Sequence, residues 1–264
     1  MGERDGSFLE RMQAYALKAA REGKQETSWL NPNQAYETGL RTFLERILDR
    51  SSSDEFLKSL ETLARRTSLL GVLNSLSQIT LKATIPGVPD FYQGTEFWDL
   101  SLVDPDNRRP VDFAERAAGL ASVENPDWES LAQNWPNGYI KLAWIRHLLK
   151  LRTEFADVFA QGDYQPLQVS GPHRDHVIAF ARRRDRDAAI VAVAKSFAPI
   201  AQGGRVWPRA EAFDGVLNLD GYSAEGIAGA TELRLSALFR HLPAAVLKVR
   251  FEGALTPARN RMPA

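Results

Sequence analysis

Hydrophobic spacing changes period once along this 264-residue chain, near residue 160, and that switch constrains the fold more than any other feature. Before it, apolar residues recur every three or four positions, as on one face of a helix; after it they form short runs between Gly, Pro and Asp, as in strands. Ser7 and Glu10 make a capping-box pattern ahead of Phe8, Leu9, Met12, Tyr15, Ala16 and Ala19. Asn31-Pro32-Asn33 interrupts that stripe, and Tyr36, Leu40, Phe43, Leu44 and Ile47 trace a second. Ser51-Ser52-Ser53-Asp54 reads as a turn, with Ser52 and Glu55 repeating the box before a third helix ending at Arg66. A fourth carries Leu69, Leu70, Leu73, Leu76 and Leu81 towards Thr84–Pro89, where two prolines and a glycine forbid continuation. Helical spacing resumes over 113–121 and 138–153, the latter with Trp144 in a core stripe.

Beyond 160 the expected strands are Tyr164–Ser170, His176–Arg183, Ala188–Ala194, Val216–Leu219, Glu232–Leu235 and Ala245–Phe251. Short strands between turns suit a small antiparallel β-sandwich, so the fold class is α+β. The run Arg182–Asp187, three arginines followed by Asp-Arg-Asp, reads as a solvated hairpin turn because aspartates interrupt its positive charge. His173 and His176 around Asp175 read as a surface turn, and Gly203-Gly204 as a turn without the Lys-Ser/Thr of a phosphate loop.

Composition narrows function by exclusion. Lys and Arg number 33, equal to Asp and Glu, so the chain lacks the basic excess that a nucleic-acid surface needs to displace counterions. The absence of cysteine removes disulfides, thiolate metal sites and a cysteine nucleophile, and four scattered histidines argue against zinc or haem. The first thirteen residues hold no apolar signal core and no run nears the roughly 18 apolar residues of a membrane span. Neither a cofactor nor a metal is expected, and the default location is cytoplasmic.

Polar chemistry concentrates in Pro86–Asp112, which lacks a sustained period and mixes carboxylates, Gln93, Asn107, Arg108 and Arg109 with bulky Phe91, Tyr92, Phe97 and Trp98. So many bulky residues favour an ordered loop over a solvated linker. Aromatic faces beside carboxylates, amides and guanidinium forks suit sugars, whose hydroxyls take paired hydrogen bonds and whose C–H faces pack on rings. The same residues also suit a salt-bridged turn with Asp104 or Asp106 capping backbone amides, so binding and bracing both stand at this point.

Ile85-Pro86-Gly87-Val88-Pro89-Asp90-Phe91-Tyr92-Gln93-Gly94-Thr95-Glu96 resembles the segment at the eighth barrel strand of glycoside hydrolase family 13, the α-amylase superfamily. Its extension from Asp99 through Asp104-Pro105-Asp106-Asn107-Arg108-Arg109-Pro110 to Asp112 resembles one subgroup, the (1→4)-α-D-glucan 1-α-D-glucosylmutases. Similarity also runs through Lys18–Glu22, Thr27-Ser28-Trp29, Asn31-Pro32, Gly162–Leu167 and Asp175–Phe180.

The resemblance implies a C-terminal piece of a longer enzyme, because the motifs that carry the family's three catalytic carboxylates are absent from these residues. It implies a helical part with the last strand, near 84–92, and helix of a (β/α)8 barrel over 1–158, a β-sandwich over 159–252 and a tail over 253–264. A lone barrel strand would leave an edge that a homodimer would cover. It further implies that Tyr92, Gln93, Glu96, Trp98, Asp104, Arg108 and Arg109 bind a maltooligosaccharide, with no catalytic residue in this chain. The activity implied for the whole enzyme converts the reducing-end α-1,4 linkage into an α,α-1,1 linkage by intramolecular transfer. A stand-alone carbohydrate-binding module is the second reading. A family 13 relative of the sucrose phosphorylase or amylosucrase kind is the third, and the Asp-Pro-Asp-Asn-Arg-Arg-Pro run argues against it.

Overall fold

A computed structural model describes residues 6–223 and 230–254; the tail over 255–264 and the Ser7 side chain of the first capping box lie outside the described residues. The chain divides into two compact units, Met1–Arg66 with Asp99–Asp112, and Thr67–Trp98 with Phe113–Ala264.

The first unit contains α1 (Gly6–Gly23), α2 (Gln34–Leu48) and the opening half of α3 (Arg50–Thr84). Asn33 caps α2, its side-chain oxygen accepting the Tyr36 amide at 3.2 Å. Arg21 forks onto Glu37 at 2.8 and 2.6 Å, and the Thr27 hydroxyl donates to the same carboxylate at 2.7 Å. Thr27 in turn accepts the Asn33 amide at 2.9 Å, which closes the α1–α2 connection. Thr27 and Glu37 are buried, and no described apolar side chain of this unit is.

Two helix boundaries differ from the sequence reading. The serine run is not a turn but the first turns of α3, with non-helical angles at Ser53 alone (φ −142°, ψ 34°). Asp49 takes the capping role expected of Ser52, accepting Ser51 N at 3.1 Å and Ser52 Oγ at 2.9 Å. The expected third and fourth helices are one, because no glycine or proline separates Arg66 from Leu69.

In the second unit, β3 (Val177–Arg184), β4 (Asp187–Ala194) and β8 (Ala244–Phe251) form the centre of a five-stranded antiparallel sheet ordered β1-β3-β4-β8-β6. Its outer strands are β1 (Asp163–Pro166) and β6 (Tyr222–Ser223). A second sheet, β2-β5-β7, joins Val169–Ser170, Val216–Asn218 and Glu232–Arg234, again antiparallel.

The strand expected over Tyr164–Ser170 is split. Contact with β3 runs one residue past Pro166, the Leu167 amide donating to Ala179 O at 3.0 Å, and Val169 resumes in the other sheet. Helical turns also occur where strands alone were expected: α8 (Leu235–Leu238) follows β7 directly. The short helices α5 (Trp128–Gln133) and α7 (Ala156–Gln161) were not anticipated, whereas α4 (Phe113–Ser122) and α6 (Tyr139–Glu154) fall where helical spacing resumed.

Alternation along β4 explains its uninterrupted apolar run. Ile190, Ala192 and Ala194 join Leu69, Leu73, Leu217 and Phe239 in one cluster, while Val191 and Val193 join Leu76, Ile79, Trp144 and Leu148 in another. Both faces of the five-stranded sheet are therefore covered, so polar alternation disappears. Trp144 is buried as expected, and its indole N–H donates to Thr80 Oγ1 at 2.7 Å.

Among the described residues of 85–105 there is no strand, which corrects the expectation of one near 84–92. A barrel strand is held by hydrogen bonds to neighbouring strands, and this chain supplies no such neighbours for that segment. The exposed barrel edge invoked for a homodimer is absent for the same reason.

Arg182, counted within the solvated hairpin run, is instead 1% exposed. The turn that follows it is solvated as expected, with Asp185 at φ 55°.

Candidate functional site

The candidate loop divides between the two units at Trp98 and Asp99. In the second unit, Phe97 and Trp98 fasten the chain. Trp98 Nε1 donates to Trp135 O at 2.6 Å, and Lys141 Nζ donates to Phe97 O at 2.9 Å while lying 5.6 Å from the Trp98 ring. Phe97 packs on Tyr139 with ring centres 5.2 Å apart. Gly138 lies beneath at φ +81°, where a Cβ would come within 3.0 Å of the Phe97 ring and 3.3 Å of the Trp98 amide nitrogen. Close approach of the loop thus requires glycine there.

Glu96 is committed to structure. It accepts the Gly94 amide at 3.0 Å and Arg116 Nε at 2.7 Å, and Arg116 Nη2 returns to Gly94 O at 2.8 Å. The turn it closes is marked by Thr95 Oγ1 donating to Tyr92 O at 2.7 Å. Tyr92, 65% exposed, and Gln93 project from this turn into solvent. The order expected of this loop is therefore real, built from an ion pair, two aromatic anchors and a glycine.

In the first unit the hub is Asp106. Arg11 grips it with two donors at 2.8 and 2.9 Å, and the Leu102 amide donates at 2.6 Å. The Arg11 guanidinium, helped by that amide, holds the Asp106 carboxyl at about 2, well below the usual range. Arg109 reaches Ser101 Oγ at 3.1 Å and Asp106 O at 3.2 Å, and its Nε lies 3.8 Å from the Asp106 carboxylate. Arg108 pairs with Asp104, whose backbone oxygen accepts Lys18 Nζ at 2.6 Å.

Both arginines of the Asp-Asn-Arg-Arg turn are thus engaged with the aspartates named by the bracing reading. Asp112 also has an interaction of its own. Arg11 and Lys18 went unnoticed as partners of this turn. Their signal was the seven-residue spacing of two cations on α1, one face of a helix turned to an acid-rich loop.

Among the described residues the carboxylates with displaced pKa, namely Glu37, Asp49, Asp54, Asp106 and Glu154, are all held low by donors. A glycosidase acid needs the opposite displacement, produced by burial without a donor. Among the described residues no group of three His, Cys, Asp or Glu is placed to hold a metal ion. Two open clefts, of about 650 Å³ beside Phe43 and Phe56 and about 460 Å³ beside Asp214 and Arg234, are lined by none of the seven expected site residues. Among the described residues no helix is long and apolar enough to cross a membrane.

The fold and loop define an α+β chain whose aromatic- and carboxylate-rich loop is held by ion pairs. Known proteins make the likeness specific. No protein-family model matches the chain. Maltooligosyl trehalose synthase of Mycobacterium tuberculosis, in two strains, is 35% identical over 254 residues, covering 93% of this chain and 29% of the relative. Among solved structures, a mutant maltooligosyltrehalose synthase from Arthrobacter ramosus superposes with a TM-score of 0.71 at 31% identity, over 92% of this chain and 30% of that one. The unmutated Arthrobacter ramosus enzyme gives 0.67 at 30% identity, over 92% and 30%. A hypothetical maltooligosyl trehalose synthase from Sulfolobus tokodaii gives 0.63 at 27% identity, over 93% and 29%. The chain is homologous to part of maltooligosyltrehalose synthase, and it spans about 29% of the length of the curated relatives it matches.

Proposed function

We propose that this chain is a C-terminal portion of a cytoplasmic enzyme of trehalose biosynthesis. The whole enzyme converts the reducing-end α-1,4 linkage of a maltooligosaccharide into an α,α-1,1 linkage. The observation that carries this reading is similarity across 93% of the chain to only 29% of maltooligosyl trehalose synthases. By the family resemblance, a carboxylate of the missing barrel attacks the anomeric carbon and a neighbouring acid protonates the leaving oxygen. The freed glucose then turns and attacks through its own 1-hydroxyl, a step that requires water to be excluded.

In this reading residues 1–158 combine a helical region with the end of the (β/α)8 barrel, 84–92 taking the last strand position once neighbouring strands are present. Residues 159–252 form the C-terminal β-sandwich, a description supported by two antiparallel sheets sharing one apolar cluster. Tyr92 and Gln93 are the loop's substrate contacts, being exposed on a stapled turn. Glu96 and Trp98 set the backbone that carries them, while Asp104, Arg108 and Arg109 fix the second half of the loop.

Incubating the chain with maltopentaose, followed by reducing-end assay and chromatography, tests its part in the reaction. No turnover above a boiled control is expected, because the carboxylates with displaced pKa among the described residues are all displaced downward, opposite to the raised pKa of a general acid. Turnover abolished by mutating one of this chain's carboxylates overturns the proposal.

A further inference from the structure

The smaller sheet of the second unit builds a cleft of about 460 Å³ whose polar groups have no part in the reading above. Its construction follows from strand register. Leu217 and Leu233 pair across β5 and β7 and pack towards the buried cluster, so the residues flanking them face the other way. Ser170, Val216 and Arg234 therefore share one cross-strand row, and Asn218 and Glu232 share the next. Ser170, Asn218, Glu232 and Arg234 are exposed.

Turns at the end of this sheet complete the cleft. At Gly171 (φ +101°) a Cβ would stand 2.6 Å from Gly215 Cα, so glycine is what lets the two turns touch. His173 fixes the Asp214 turn from its own backbone and ring: its Nδ1 accepts the Asp214 amide at 2.9 Å, and its amide donates to Asp214 O at 3.0 Å. The Leu235 amide donates to Gly215 O at 3.0 Å, tying the start of α8, and with it Ser236, to the same place. The lining thus presents two carboxylates (Asp214, Glu232), one guanidinium (Arg234) and two hydroxyls (Ser170, Ser236) on a braced backbone. Among the described residues none of the three charged side chains has an ion pair or a side-chain hydrogen bond, although Glu232 and Arg234 share a face of β7.

The balance of these groups selects the ligand. Two negative charges against one positive disfavour a phosphate or sulfate. Among the described residues no group of three His, Cys, Asp or Glu is placed to hold a metal ion. The apolar side chains of the lining are Pro172, Val216 and the buried Phe213, so an apolar ligand would gain little there. A neutral polyol suits what is present: neighbouring hydroxyls donate in pairs to carboxylates and accept from a guanidinium fork. We propose that this cleft is a carbohydrate site that takes part of a maltooligosaccharide, Asp214 and Glu232 accepting from sugar hydroxyls and Arg234 donating to them. The choice of glucan rests on the functional reading above, and the cleft shares no residue with the Tyr92–Gln93 turn.

The test uses the 264-residue chain with maltopentaose as the probe. Hydrogen exchange is compared with and without the sugar, and calorimetry gives the affinity. Peptides over 168–173, 213–218 and 230–236 should exchange at least about threefold more slowly when the sugar is bound. Glu232→Gln with Arg234→Gln should weaken binding at least about tenfold and abolish that protection. The melting temperature should stay unchanged, because both side chains are exposed and bond to no other described residue. Tyr92→Ala should leave the protection of these peptides in place.

Absence of protection in these peptides overturns the proposal, and so does protection that survives the double variant. Equal protection by inorganic phosphate marks an anion site and overturns it too. A melting temperature lowered by the double variant shows the charges to be structural, with the same consequence. Turnover is read on the same samples. Turnover of maltopentaose that is abolished by mutating one of this chain's carboxylates removes the functional reading and leaves a protected cleft standing; an unprotected cleft without turnover does the reverse.

Discussion

Replacing Arg182 by methionine should destabilise the β-bearing unit by about 3 kcal/mol, and the structure supplies the reasoning. The guanidinium is 1% exposed and donates to three backbone oxygens: Thr84 O at 2.8 Å, Phe159 O at 3.0 Å and Gly162 O at 2.9 Å. Thr84 ends α3, and Phe159 and Gly162 belong to the end of α7, where helix carbonyls have no partner of their own. A cation at helix C-termini also meets the negative end of the macrodipole.

Methionine fills similar space but leaves these oxygens without donors, at roughly 1–3 kcal/mol for each buried group. Part of that loss is offset. Burial already pushes the Arg182 guanidinium down, Arg152 nearby repels it, and its Nε has no partner among the described residues. Removing a buried charge recovers its desolvation. Two to three unsatisfied carbonyls less this recovery leave about 3 kcal/mol. For a unit of this size that corresponds to a melting temperature lowered by roughly 6–12 °C. Thermal unfolding followed by circular dichroism measures it on the chain as it stands. An unchanged or raised melting temperature for Arg182→Met refutes the account, because it would mean the three carbonyls are satisfied without the arginine. Arg182→Lys, which keeps the charge but loses the fork, should fall between.

Three further outcomes follow from the same geometry. Glu37 and Asp106 both titrate near 2 in the folded chain, below their ordinary values, through Arg21 and Arg11 respectively. A depressed carboxylate stabilises above its unfolded value and loses that contribution as the folded group protonates, so helicity should fall between about pH 5 and pH 2. Glu37→Gln with Asp106→Asn should flatten an acid titration over that window. Thr80→Val removes the acceptor of the buried Trp144 indole N–H, and denaturant unfolding followed by tryptophan fluorescence should show a loss of about 1–3 kcal/mol. Arg109→Ala breaks two exposed hydrogen bonds and a long ion pair, so it should cost under about 1 kcal/mol. In the whole enzyme, a fall in kcat/KM without that loss of stability would instead assign Arg109 to substrate.

Sequence by itself determined those elements whose signal is local. The switch from helical to strand spacing near 160, the position of β4 and the core place of Trp144 follow from periodicity, which any packing must respect. The likeness to maltooligosyltrehalose synthase was legible in Asp99–Asp112, where an unusual order of residues carries more information than composition does. Only tertiary structure decided matters resting on partners distant in the chain. Arg182 looks like a hairpin arginine until Thr84, Phe159 and Gly162 gather around it, because a carbonyl's need for a donor leaves no mark on its side chain. Arg108 and Arg109 brace the loop instead of standing open because Asp104 and Asp106 lie beside them in space, with Arg11 and Lys18 arriving from α1. The segment 84–92, expected from its resemblance to form a barrel strand, forms none, since a strand is a property of its neighbours and no strand pairs with it among the described residues.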